Sequence, residues 1–100
     1  MPEPIVRQIV RVRGRVQGVG FRDRVVDIAE GYRVAGTVRN VRPDEVLEID
    51  VEGEPEEVDR FLDDVFAHPP TFARVERIER EPRGPRNVAG FRIAQTTVER

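Results

Sequence analysis

The chain has 100 residues, of which 38% are hydrophobic and 36% are charged. This size fits one domain with a single modest core, and we expect residues 1–100 to fold as one unit. There is no cysteine, and all seventeen basic residues are arginine. Disulfides, cysteine nucleophiles, lysine Schiff bases and the lysine-dependent phosphate loop of many ATPases are therefore excluded.

The net charge is −2 at pH 7, so no overall positive field attracts nucleic acid. No apolar run reaches ~18 residues, and the first residues, Met-Pro-Glu-Pro, lack the basic and apolar regions of a secretory signal. We therefore expect a cytoplasmic monomer with no membrane span and no nucleic-acid partner.

The first half of the chain alternates between strand and helix patterns. Residues 5–12 predict a strand, with valines on one face and arginines on the other. From about Phe21 the next apolar residues fall at helical spacing: Val25, Ile28, Ala29 and Tyr32. Residues 37–41 and 46–51 predict a hairpin around the Pro43-Asp44 turn. Its second strand is expected to turn Leu47, Ile49 and Val51 inward and Glu48, Asp50 and Glu52 outward.

The second half repeats the helix-then-strand order. Pro55 fits the first turn of a helix, and its predicted buried stripe is Val58, Phe61, Leu62 and Val65. His68-Pro69-Pro70 ends that helix. Residues 72–80 predict a strand that is either regular or bulged, because Val75 and Ile78 lie three apart. Residues 90–94 predict a short closing strand.

This β-α-β-β-α-β order, with one extra short strand, predicts an α+β ferredoxin-like sandwich. Its antiparallel sheet would carry two helices on one face.

The segment Gly14-Arg15-Val16-Gln17-Gly18-Val19-Gly20-Phe21-Arg22 joins the first strand to the first helix. Glycine lets successive main-chain N–H groups converge on one point, and a helix N-terminus favours an anion there. Arginine at the start of the helix offers a planar fork of donors that matches phosphate oxygens. The segment thus predicts a phosphate-sized oxyanion site, although a tight turn whose glycines serve only geometry gives the same pattern.

The segment also resembles the substrate loop of the acylphosphatases, and the family's G-x-V-x-N pattern is matched by Gly36, Val38 and Asn40. The likeness continues through Gly53, the second helix, Pro69-Pro70 and Ala73-Arg74-Val75-Glu76. It implies a hydrolase that cleaves small acyl phosphates to carboxylate and inorganic phosphate, with no metal and no cofactor. It further implies that Arg22 and the glycine loop (residues 15–21) bind the phosphoryl group, while Asn40 positions the attacking water. The loop residues are Arg15, Val16, Gln17, Gly18, Val19, Gly20 and Phe21.

Three residues depart from the family pattern. Thr37 stands where a large residue is common, Glu45 replaces a common turn glycine, and His68 stands where a glycine is usual. None of the three belongs to the two chemical motifs.

The chemistry agrees with the resemblance, because a carboxylate leaving group of pKa near ~4 needs no general acid. His68, the single histidine, is interpreted as a solvated loop residue rather than a base. The acidic face of the second helix is interpreted as a solvated surface rather than a metal site: Glu54, Glu56, Glu57, Asp59, Asp63 and Asp64.

Two other interpretations remain open. Asn40 is also compatible with a strand-end residue that bonds its own turn. A non-catalytic module of the same topology, binding an anion or RNA, is the alternative function. RNA binding would require exposed aromatic residues on the central strands, where arginine and acids are predicted instead.

Overall fold

A computed structural model describes residues 4–99. Its elements follow in chain order: β1 Val6–Arg15, α1 Phe21–Ala29, β2 Val34–Arg42, β3 Val46–Gly53, α2 Pro55–Ala67, β4 Arg74–Arg83, β5 Phe91–Ile93 and β6 Thr97–Val98. The strands are hydrogen-bonded in the order β4-β1-β3-β2-β5, and β6 also pairs with β2. This is the predicted β-α-β-β-α-β framework, but two short strands stand beyond it where the sequence predicted one, because β6 was missed.

Both helices pack on one face of the sheet, because the apolar side chains of β1, β2 and β3 alternate toward that face. Ile49 of β3 lies between two core valines: Val10 is opposite it on β1, and Val38 is opposite it on β2. The buried stripes of α1 and α2 complete this core: Phe21, Val25, Ala29, Val58, Phe61, Leu62 and Val65. The ferredoxin-like prediction is therefore confirmed.

The sheet is mixed, not wholly antiparallel as the sequence predicted. The β1–β3, β1–β4 and β2–β3 pairs are antiparallel, but β5 and β6 run parallel to β2. The reason is topological: β4 and β5 lie at opposite edges of the sheet, so the chain crosses between them before it pairs again.

Pairing between β1 and β4 shifts register between Arg13 and Gly14, which lie opposite Arg77 and Val75. Glu76 is therefore the extra residue of a bulge, and this answers the question that the spacing of Val75 and Ile78 left open. The backbones approach closely here, since a Cβ on Gly14 would lie 2.1 Å from the carbonyl oxygen of Arg74.

One sequence expectation about position was wrong. Helix α1 ends at Ala29, so Tyr32 lies beyond it; Gly31, a poor helix former, comes between them. Tyr32 nevertheless packs edge-on against Phe61, with ring centroids 6.1 Å apart.

Asp50 and Glu52 point outward as predicted, but they are only 8% and 4% exposed, which the sequence did not predict. They lie on the face opposite the helices, where the segment between β4 and β5 covers them. Arg7 and Arg86 donate to the Asp50 carboxylate. Glu52 accepts from the main-chain N–H groups of Arg86 and Asn87.

Candidate active site

The glycine loop is fixed at both ends and exposed between them. Val16 and Phe21 are each 1% exposed and anchor the loop in the core. Gly18 and Gly20 are exposed, and Val19 packs partly against the core. Arg15, the last residue of β1, is also exposed. The loop therefore presents its main chain to solvent from a rigid base.

The backbone of the loop opens directly onto α1. Gly20 is the N-cap residue, with φ 79° and ψ 18°, and no side chain caps the helix. A Cβ at Gly18 or Gly20 would meet nothing within 4 Å. The first N–H groups of a helix have no partner within the helix, so this end of α1 offers unsatisfied donors and a positive dipole to an anion.

Arg22 is the second residue of α1 and is half-buried. Across residues 4–99, its guanidinium takes part in none of the ion pairs or side-chain hydrogen bonds. Arg24, one residue further, donates to the carbonyl oxygen of His68 at 2.9 Å. The two arginines at the start of this helix therefore differ: Arg24 is engaged by the protein, and Arg22 has its donors available.

Asn40 lies on β2 opposite Leu47, on the face that carries the core. It is 5% exposed, and its buried Oδ1 has no hydrogen-bond partner within the described part of the chain. A buried acceptor without a partner is unfavourable by about 1–3 kcal/mol. The alternative in which Asn40 bonds its own turn through this oxygen is not what the structure contains.

Gln17 connects the glycine loop to the strand that carries Asn40. Its Nε2 donates to the carbonyl oxygens of Val41 and Val46, both at 3.1 Å. Val41 directly follows Asn40, so these two bonds hold the loop against the end of the β2–β3 hairpin. The two motifs that the sequence identified separately are therefore brought together.

Glu45, in the turn of that hairpin, makes a second connection that the sequence did not predict. Its Oε2 accepts hydrogen bonds from the main-chain N–H groups of Val16 at 2.7 Å and Gln17 at 3.1 Å. The sequence signal for this connection was an acidic residue in place of a turn glycine. The sequence could not predict the hydrogen bonds themselves, because they form only when the hairpin folds against the loop.

The interpretation of His68 as a solvated residue is confirmed, since its side chain is 67% exposed. It contacts Asp64 at 2.9 Å, and Tyr32 donates to the other oxygen of the same carboxylate at 2.8 Å. The Tyr32 hydroxyl, with a smaller contribution from His68, lowers the pKa of Asp64. This cluster joins the end of α2 to the chain after α1, and it includes no residue of the glycine loop.

Two further acidic residues of α2 make local contacts. Glu56 pairs with Arg60 one helical turn away, and Glu57 accepts the main-chain N–H of Arg33. Among residues 4–99, no group of three or more histidine, cysteine or acidic side chains is arranged to hold a metal ion. Neither α1 nor α2 in this range has the length and apolar character needed to cross a membrane.

The family model of the acylphosphatases matches residues 8–93. The chain belongs to the acylphosphatase family. It is 41% identical over 88 residues to an acylphosphatase of Thermococcus kodakarensis, covering 88% of this chain and 94% of that one. Acyl-phosphate hydrolysis is therefore its activity, and acyl phosphates are its substrate class.

Solved structures agree with this assignment. The Bacillus subtilis acylphosphatase superposes with a TM-score of 0.81 at 33% identity, over 89% of this chain and 98% of that one. Full-length HypF, in a phosphate- and nucleotide-bound form, superposes with a TM-score of 0.91 at 28% identity. The match covers 99% of the present chain but only 13% of the HypF chain.

Proposed function

We propose that the main-chain N–H groups of residues 15–21 and the guanidinium of Arg22 hold the phosphoryl group of a small acyl phosphate, while Asn40 positions the attacking water. The uncapped start of α1 supports the first role, because it leaves donors that favour an anion. The unengaged guanidinium of Arg22 supports its part in binding the phosphoryl group, because arginine binds phosphate oxygens in a bidentate way.

The observation that carries the proposal is the buried, unpartnered Oδ1 of Asn40. Such an atom is rare in folded proteins and calls for a partner. In the proposed site a water molecule is held at the Asn40 side-chain amide, and its oxygen is then oriented toward the phosphorus. Gln17 keeps the strand of Asn40 against the loop, so the water and the bound phosphoryl group lie in one site.

The reaction needs little beyond this arrangement. The water oxygen forms a bond to phosphorus as the bond between phosphorus and the acyl oxygen breaks. The bonding pair leaves with the carboxylate, and the water's proton passes to a phosphate oxygen or to solvent. Because the leaving carboxylate has a conjugate-acid pKa near ~4, no general acid is required. Positioning and charge stabilisation are sufficient in principle.

We therefore propose that hydrolysis needs no metal and no cofactor. The test is hydrolysis of benzoyl phosphate in the presence of EDTA. Arg22→Ala should lower kcat/KM by at least roughly 10²–10³, and Arg22→Lys should restore only part of it because a point charge replaces a fork. Arg24→Ala removes the same charge from the same helical turn and is the matched control. A folded wild-type protein without activity, or equal losses in the two alanine variants, would refute the proposal.

Asn40 is tested separately. We expect Asn40→Ala to lower kcat by roughly 10²-fold and to leave the affinity for inorganic phosphate within about threefold, since the loop and Arg22 remain. Thr37→Ala, on the same strand, should preserve kcat. Full activity in Asn40→Ala would remove the water-positioning role but not the role of Arg22.

The sheet face opposite the helices supports the proposal that nucleic acid is not a partner. Arginine and acidic side chains, already paired with one another, occupy the central strands there. Arg11 and Arg39 both contact Glu48, and Arg7 contacts Asp50. Among residues 4–99, no aromatic side chain lines the cleft on this face, so these residues offer no platform there for base stacking. Retention of RNA at physiological salt would contradict this.

We also propose that the protein is a cytoplasmic, single-domain monomer. One edge of the sheet is β4, whose sequence Arg-Val-Glu-Arg-Ile-Glu-Arg-Glu-Pro-Arg is dense in charge and contains proline. Charged side chains and proline discourage pairing between sheet edges of neighbouring molecules. Light scattering at micromolar concentration should give the monomer mass, and a stable dimer would contradict it.

A further inference from the structure

The carboxylate of Glu45 uses two N–H groups of the proposed phosphate loop. One oxygen atom, Oε2, accepts from both Val16 and Gln17, at 2.7 and 3.1 Å. Successive main-chain N–H groups that converge on one oxygen form an anion-binding concavity, and a carboxylate is a common occupant. Within residues 4–99, the Glu45 carboxylate takes part in no ion pair, so these N–H groups are its partners there.

The glycine loop is thereby divided into two parts. The N–H groups at its start are bonded to Glu45, whereas the uncapped end at Gly20 leaves donors open toward α1. A phosphoryl group is larger than a single oxygen and carries two negative charges near neutral pH. A phosphoryl group that uses the whole loop therefore meets a negative charge already seated in it. Like charges a few ångströms apart repel, and close to the protein surface salt screens this only partly.

The surroundings of Glu45 leave room for its side chain to move. A cleft of about 300 Å³ lies beside the loop and is lined by Gln17, Gly18, Arg42, Pro43 and Glu45. Glu45 is exposed, and so is Arg42. The cleft therefore contains both the carboxylate and a cation toward which that carboxylate can turn when it leaves the loop.

We propose that Glu45 is an internal competitor for the loop: its carboxylate occupies the N–H groups of Val16 and Gln17, and a bound phosphoryl group displaces it. Glu45 thus weakens binding of both the acyl phosphate and the inorganic phosphate product. It sets affinity at the site instead of taking part in the bond-breaking step. This inference rests on the proposed function of the loop.

The main experiment compares Glu45→Gln and Glu45→Ala with the wild type. For each protein, kcat and KM are measured with benzoyl phosphate, and the dissociation constant of inorganic phosphate is measured by calorimetry. We expect KM and the phosphate dissociation constant to fall by roughly three- to tenfold, the effect of removing one nearby like charge, while kcat stays within about threefold. Asp44→Asn removes an identical charge from the same turn; its side chain is 80% exposed, and within residues 4–99 its ion pair is with Arg13, at 4.0 Å. That control should leave both constants within about twofold.

The opposite result would identify Glu45 as a structural support for the loop. In that case KM and the phosphate dissociation constant would rise or stay unchanged while the melting temperature fell. Active Glu45 variants with unaltered phosphate affinity would overturn this inference alone. A wild-type protein that neither hydrolyses benzoyl phosphate nor binds phosphate would instead overturn the proposed function.

A second measurement needs no variant and therefore does not depend on folding of the substituted proteins. In the wild type, titration with inorganic phosphate is followed by the amide signals of the loop in ¹⁵N–¹H spectra. Displacement of Glu45 requires the signals of Val16 and Gln17 to move together with those of Gly18 to Arg22. If Val16 and Gln17 stay unchanged at saturating phosphate while the others move, the competition is refuted.

Discussion

The side-chain amide of Gln17 donates to the main-chain carbonyl of Val41 at 3.1 Å, immediately beside Asn40. The same nitrogen also donates to Val46 at 3.1 Å. One side chain of the glycine loop thereby joins it to both strands of the neighbouring hairpin. The distance between the proposed phosphate site and the proposed water site is fixed by this connection.

Gln17→Ala should therefore lower the catalytic activity. With both bonds gone, the loop and β2 are free to separate by a fraction of an ångström or more, and we expect kcat/KM to fall by roughly 10- to 100-fold. Gln95→Ala, at an exposed position near the C-terminus, serves as the matched control and should retain full activity. Equal activities of the two variants would show that Gln17 does not position the site.

Gly20→Ala should destabilise the fold because of its backbone angle and not through crowding. Gly20 has φ 79°, and a Cβ there meets nothing within 4 Å. A side-chained residue in this left-handed region loses about 1–2 kcal/mol, measured by denaturant unfolding. Gly20→Asn should lose less, because asparagine tolerates this region better. Gly84→Ala is the control: its surroundings are equally open and its φ is not positive. A loss at Gly84 as large as that at Gly20 would contradict the argument.

Asp50→Asn should lower stability strongly although aspartate and asparagine have nearly the same shape. Arg7 donates two 2.8 Å hydrogen bonds to the Asp50 carboxylate, and Arg86 donates a third at 2.9 Å. The Asp50 side chain is only 12% exposed. Loss of its negative charge therefore leaves two guanidinium groups without their anionic partner. We expect a decrease of about 2–4 kcal/mol in the free energy of unfolding. Glu81→Gln, at a side chain 47% exposed, should have a much smaller effect; a comparable loss would show that burial is not the cause.

Tyr32→Phe should raise the pKa of Asp64. The Tyr32 hydroxyl is the largest cause that lowers this pKa, and it donates to Oδ2 at 2.8 Å. A carboxyl whose pKa is lower in the folded state stabilises the protein above its unfolded pKa, and this contribution is lost as pH falls through the folded pKa. The wild type should therefore lose stability on acidification below about pH 4, and the variant should lose less across that range.

NMR titration of the carboxyl carbons gives the measurement. Glu79 provides an internal control, because a separate contact with Arg13 lowers its pKa. An unchanged Asp64 pKa in Tyr32→Phe, or an equal change at Glu79, would contradict the assignment.

Much of the fold was predictable because its signals are local. The alternation of Leu47, Ile49 and Val51 and the helical spacing of Phe61, Leu62 and Val65 depend only on neighbours in the chain. The two chemical motifs were equally local, and they identified the family together with Arg22 and Asn40 as site candidates. The residue roles remain proposals.

What the sequence did not predict depends on contacts between distant segments. Asp50 and Glu52 occupy outward positions of an alternating strand, and they are buried because the segment that contains Arg86 and Asn87 packs over them. The hydrogen bonds of Glu45 to the loop arise in the same way, since its turn and the loop are far apart in sequence. Local periodicity carries no information on such contacts.

The crossing between β4 and β5 has a consequence for how the chain folds. The Arg7 guanidinium reaches the carbonyl oxygen of Gly84, 77 residues away, and the β1–β4 pair joins residues 7–15 to residues 74–83. Closing loops of this size costs chain entropy before the contacts form, so such connections slow folding. We expect the short C-terminal strands β5 and β6 to dock last, after strands β1 to β4 have formed.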